Sequence, residues 1–149
     1  MTFKQKILQQ HQILLQDKID VFRDMISNLT IDAQNDAKGS AGDKHETALA
    51  MMHLEQEKLN YKLREFLLQK SILDKINLNV KNNKIALGSV VKVNEMYVFI
   101  SSALPKIKVD TVTIIAISAQ SPLGGKLLGN EIGFQFSING SNFTIFEIY

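Results

Sequence analysis

Two apolar stripes, each repeating every seven residues, run through the first half of the chain. Leu8, Leu15, Phe22 and Leu29 make the first, and Ile19 and Ile26 fill the intervening four-residue step. Neither glycine nor proline interrupts Phe3 to Leu29, while Gln9, Gln16, Lys18, Asp20 and Arg23 occupy the opposite side. Such a narrow seam belongs to a helix that packs on one partner. From about Asp43 to Ile76 the arrangement returns, with Met52, Leu59, Phe66 and Leu73 at seven-residue spacing and Leu63 between. At 1.5 Å per residue, helices of this length reach roughly 40–50 Å. With one stripe each they do not fold into a compact bundle, so the pattern predicts an extended antiparallel coiled-coil hairpin. The polar stretch Thr30 to Lys38 leaves open how far the first helix continues.

The turn of that hairpin falls in residues 39–50. Gly39 and Gly42 break the arriving helix, because glycine accepts backbone angles that other residues resist. Asp43 then starts the departing helix, with Glu46 three residues on. One reading of this pair is a capping box, in which Asp43 accepts from the N–H three residues on and Glu46 reaches back to the N–H of Asp43. The other is a pair of carboxylates carried at the tip of a long probe, to meet a metal or a basic group elsewhere. The two are compatible until the side chains turn outward. His45 beside two acids is weak evidence for a zinc site and reads as a solvated turn residue. His11 and His53 read as surface or seam residues, and Met51 and Met52 as packing.

After Ile76 the periodicity changes. Residues 77–84 read as a polar linker, and β-branched runs follow at Ser89–Val93, Met96–Ser101, Val112–Ser118, Ile132–Ile138 and Phe143–Tyr149. Asn94-Glu95 and Asn139-Gly140-Ser141 suggest tight hairpins. Phe134 to Ile138 alternates apolar and polar, as a strand with one wet face does. Val112 to Ile117 is more continuously apolar, as an interior strand is. Ser121 can cap a short helix that Pro122 opens and Gly129 ends, with Leu123, Leu127 and Leu128 packing on the sheet. The chain is thus read as α+β: a helical hairpin over 1–76, a linker over 77–84 and a β-rich domain over 85–149. Gly124, Gly125 and Lys126 do not form a phosphate loop, for no strand–G-x-x-x-x-G-K-[ST] pattern is present.

Composition narrows the function classes. The 149 residues are 45% hydrophobic and 21% charged, values of a folded protein rather than a disordered one. A net charge of +2, with 11 basic and 11 acidic residues in 1–80, gives no basic arm for nucleic acid. The absence of cysteine removes disulfides and thiolate metal sites and fits a reducing cytoplasm. The N-terminus lacks the apolar core of a signal peptide, and no apolar run approaches the ~20 residues needed to span a bilayer. No region gathers a nucleophile, a base and a pocket, so an independent enzyme is not expected.

Two motifs, in this order and at this separation, resemble those of the Gre-type (GreA/GreB) transcript cleavage factors of bacterial RNA polymerase. Gly42-Asp43-Lys44-His45-Glu46-Thr47-Ala48 is similar to the family's G-D-x-x-E-N-A tip. Ser121-Pro122-Leu123-Gly124-Gly125-Lys126-Leu127-Leu128-Gly129, followed by Glu131-Ile132-Gly133, is similar to S-P-x-x-x-x-L-[IL]-G-x-x-x-G. Leu87-Gly88-Ser89-Val90-Val91 agrees with the opening of the family's second domain, and the resemblance covers nearly the whole chain. It departs at Thr47, where the tip usually has Asn, and at Leu49-Ala50-Met51-Met52, which replaces a more polar, aromatic-containing stretch. Basic residues that flank the tip in well-known members are absent at Gly39 and Leu54, and Gln120 stands where some members carry an acid.

The resemblance implies an FKBP-like second domain and an accessory factor, not an enzyme. That domain would dock at the rim of the polymerase's secondary channel, with Gln120, Ser121 and Pro122 in the docking surface. The hairpin would pass through the channel as a monomer. Asp43 and Glu46 would complete the shell of a Mg²⁺ shared with the polymerase, none being bound by the isolated protein, and orient a water that cleaves backtracked RNA near its 3′ end. Lys38 and Lys44 would contact the RNA. Two alternatives stand beside this: a non-catalytic regulator in the same channel, and a coiled-coil adaptor for an unrelated protein whose acids serve only as caps.

Overall fold

A computed structural model of the protein describes the backbone at residues 1–39, 42–80 and 83–149, and the side chains there except at 36–39 and 42–45. Two long helices, α1 (Phe3–Gly39) and α2 (Gly42–Asp74), precede a six-stranded mixed sheet, so the fold is α+β as the periodicities predict. The strands are β1 (Val90–Val93), β2 (Met96–Ser101), β3 (Ile107–Val109), β4 (Val112–Ser118), β5 (Gln135–Ile138) and β6 (Ser141–Ile148), with a short helix α3 (Pro122–Leu127) between β4 and β5. Contacts divide the chain into two compact units. One is Met1–Ile13 with Ser71–Tyr149, and the other is Leu14–Lys70.

The second unit is a pair of antiparallel helices. Phe22 meets Phe66 edge to face at 5.1 Å, and Gln56 donates to the Thr30 hydroxyl at 2.8 Å, so residue numbers on the two helices run in opposite directions. Leu15, Ile19, Ala33, Leu59 and Phe66 are buried, and Phe22, Ile26, Leu29, Met52 and Leu63 are half-buried. These are the heptad positions together with Ala33, which continues their spacing. The Phe66 ring is flanked by two ammonium groups, Lys18 Nζ at 5.6 Å and Lys62 Nζ at 5.3 Å from its centroid. Cation–π contacts at exposed sites contribute about 0.5–1 kcal/mol each, which adds to the packing that holds the middle of the pair.

In the first unit the sheet order is β3-β4-β2-β1-β6-β5, antiparallel throughout except for the parallel pair β2 and β4. Val91, Val93, Val98, Ile100 and Ile145 form one face, and Leu127 from α3 and Ile85 close over it. The start of α1 belongs to this unit and packs on the other face, where His11 stacks on Phe99 and Phe3 lies edge-on to Tyr97 and Tyr149. Asn139 and Gly140 both have positive φ, the backbone of a two-residue type I′ hairpin that β5 and β6 require. Gly88, at φ +89°, lies so close to Ile76 that an added Cβ would stand 2.6 Å from its Cγ2.

The structure differs from the sequence expectation in three places. Residues 132–134 are not strand: Gly133 takes φ +93° and Phe134 N–H donates to the Glu131 carbonyl, so β5 starts after a turn. α3 ends at Leu127, which is fully buried, while Leu128 follows as its C-cap and is 37% exposed. β3 was not expected at all. Three residues are too few for alternation to register, and its hairpin to β4 turns on Asp110 and Thr111, both at positive φ without a glycine.

Candidate functional site

Only residues 40 and 41 separate α1 from α2, so Asp43 and Glu46 lie in the first two turns of α2, at the end of the helix pair. Helical periodicity carries α1 through the polar stretch 30–39 and stops it at Gly39. The start of α2 at Gly42 already takes Asp43 into the first helical turn. The capping-box reading turns on the Asp43 side chain; carboxylates this close to a helix start are also favoured by the positive end of the helix dipole. Glu46 is exposed, as is Thr47. The side chains of Asp43, Lys38, Lys44 and His45 lie outside the described residues. Counted at 1.5 Å per residue, Glu46 stands about 36 Å along α2 from Lys70, at the opposite end of this unit.

Carboxylate oxygens are the donors that Mg²⁺ takes, but an octahedral shell needs more of them than two side chains supply. Among the described residues no three His, Cys, Asp or Glu gather where they could hold a metal ion. Two carboxylates would supply only part of such a shell.

The second candidate group sits at the start of α3, in the sheet unit. Ser121 is the N-cap: its Oγ accepts from Gly124 N–H at 3.0 Å and donates to the Ser118 carbonyl at 2.6 Å. Pro122 follows as the opening helical residue, and both it and Gln120 are exposed. Gln120 Oε1 accepts from Ser118 Oγ at 2.6 Å, which orders its side chain. The Ser121 hydroxyl is thus committed to the fold, leaving Gln120 and Pro122 as the exposed members of this group. Sequence reading missed Gly124. It is buried, and an added Cβ would overlap the Ser118 carbonyl oxygen, so only glycine lets the cap close. Its signal was present: a glycine three residues after a capping serine.

No family model matches the chain, and no curated protein matches it. Among solved structures, one titled "Structure of the transcription factor Gfh1" is similar over 93% of this chain and 93% of that chain, at 21% identity and a TM-score of 0.35. Among the described residues, no helix is long and apolar enough to cross a membrane.

Proposed function

We propose that the chain is a cytoplasmic accessory factor of RNA polymerase that enters the secondary channel and stimulates Mg²⁺-dependent cleavage of backtracked RNA. The observation that carries this reading is the exposed Glu46, three residues from Asp43, at the end of a long antiparallel helix pair. The two motifs that resemble the Gre-type factors support it from the sequence, one at this tip and one at the Ser121 cap. In this reading the sheet unit docks on the polymerase through Gln120 and Pro122, and the helix pair delivers the carboxylates. Asp43 and Glu46 donate hard oxygen ligands and accept hydrogen bonds from the attacking water, holding it in line with the phosphodiester. The metal supplies Lewis-acid polarisation and a more acidic water. Lys38 and Lys44 lie on either side of the helix junction, where their charge suits an extruded RNA strand. A stiff support is needed because a displacement of ~1 Å can cost ~100-fold in rate.

Incubation of a backtracked elongation complex with Mg²⁺ and this protein should release short RNA products. Asp43→Ala with Glu46→Ala should abolish that shortening while polymerase binding survives. Absence of cleavage by the unaltered chain, with binding and an altered pausing pattern retained, would favour the non-catalytic regulator. That second reading has its own support: Met51 and Leu54 are exposed near the tip, where the resembled family has polar, aromatic or basic residues. Failure to bind polymerase at all would point to the coiled-coil adaptor.

A further inference from the structure

The seam with α1 does not account for all of the apolar surface on α2. Leu54, Tyr61 and Leu68 lie seven residues apart and are 61%, 64% and 68% exposed. At about 100° per residue they fall within about 20° of one line, on the side of the helix opposite Leu59, Leu63 and Phe66. A groove of about 890 Å³ runs beside Tyr61, bordered by Glu57, Asn60, Arg64 and Leu67. A heptad stripe of large apolar side chains is the surface that another helix covers.

The charges beside the stripe identify that helix. Glu57 and Arg64 lie on one flank of Tyr61, Lys58 and Glu65 on the other, each within about 60° of the line. Turned end for end about an axis through Tyr61, a second α2 would set Leu54 against Leu68 and Tyr61 against its own counterpart. The same operation brings Lys58 to Glu65 of the second copy and Glu57 to its Arg64, with axial offsets of about 1.5 Å. Glu65 holds Lys62 through Oε2 at 3.0 Å, which leaves Oε1 to face Lys58 of the second copy. A parallel pair also matches charges, but α2 runs into the sheet unit from Ser71. Packed helices lie about 8–10 Å apart, too close for two such units side by side at the same end.

We propose that the Leu54–Tyr61–Leu68 face of α2 binds the same face of a second copy of this chain, antiparallel about Tyr61. A contact of one helix on one helix falls among the interfaces under ~1,200 Å² that support transient complexes, so monomer and dimer exchange with concentration. The proposal does not rest on the polymerase reading and is tested on the isolated chain. If both hold, the paired form is too thick for a channel that admits one hairpin, and self-association holds the factor in reserve.

Sedimentation of the full chain over a concentration series should show the mass rising from 16.8 kDa toward its double. Lys58→Glu and Glu65→Lys should each remain monomeric with unchanged circular dichroism, and an equimolar mixture of the two should recover the dimer. Because the chain has no cysteine, Tyr61→Cys should cross-link to its own copy on oxidation, whereas Leu54→Cys should not. A monomer at every concentration, a dimer indifferent to the charge reversals, or a mixture that fails to recover would each overturn the proposal.

Discussion

His11 is buried with both ring nitrogens against backbone carbonyls, Nδ1 at 3.2 Å from Ile7 O and Nε2 at 3.3 Å from Pro105 O. A neutral imidazole has one N–H and satisfies one of them; the imidazolium would satisfy both. Burial nevertheless dominates and holds the His11 pKa below the ordinary histidine value, with the Pro105 and Ile7 carbonyls opposing it. A depressed folded-state value means that the unfolded chain binds the proton more readily. The neutral ring therefore contributes stability above the unfolded value of about 6.5, and that contribution is lost as pH falls through the folded value. Thermal melts of the full chain should drop between neutral and acidic pH, and His11→Phe, which keeps the stacking on Phe99, should flatten that part of the profile. Nothing in the local pattern signals this, because position 11 continues the spacing from Leu8 to Leu15 and any seam residue would serve there. Thr111 was hidden for a related reason. A β-branched residue at φ +68° is disfavoured, so nothing in its identity announces a hairpin.

At the scale of elements, the heptads were fully legible and the sheet only partly. Every seam residue from Leu15 to Leu29 and from Met52 to Phe66 is buried or half-buried, since a seven-residue repeat is local and survives any tertiary context. The Ser121–Pro122 cap was legible for the same reason. By contrast, the parallel pairing of β2 with β4 joins residues far apart in the chain, and no local pattern encodes it. Nor does periodicity reveal that Met1–Ile13 belongs with the sheet, because the stripe continues unbroken from Leu8 to Leu15. The aromatic contact at the middle of the helix pair offers a test. Phe66→Ala removes the edge contact to Phe22 and the ring beneath Lys18 and Lys62. Loss of a buried phenylalanine costs about 3–5 kcal/mol, so amide exchange in Leu14–Lys70 should accelerate by at least 100-fold, while the strands keep their protection.

In the whole molecule, the end of the helix pair opposite Leu14 and Lys70 carries the candidate carboxylates, and here the sequence was informative about chemistry and silent about the tip's side-chain arrangement. Asp43 and Glu46 were legible because spacing along a helix fixes their neighbourhood. The two-residue junction between α1 and α2 has a consequence for length. Both helices count in sevens and meet antiparallel, so the pair behaves as a gauge that can be recut only in matched notches. Excising 23–29 together with 59–65 should preserve the facing of what remains and draw the tip back by about 10 Å. On the proposed reading, such a chain should still fold and still bind RNA polymerase, yet leave backtracked RNA whole. An unmatched cut of one residue in α2 alone would instead swing the acids about 100° around the helix axis, spoiling aim rather than reach.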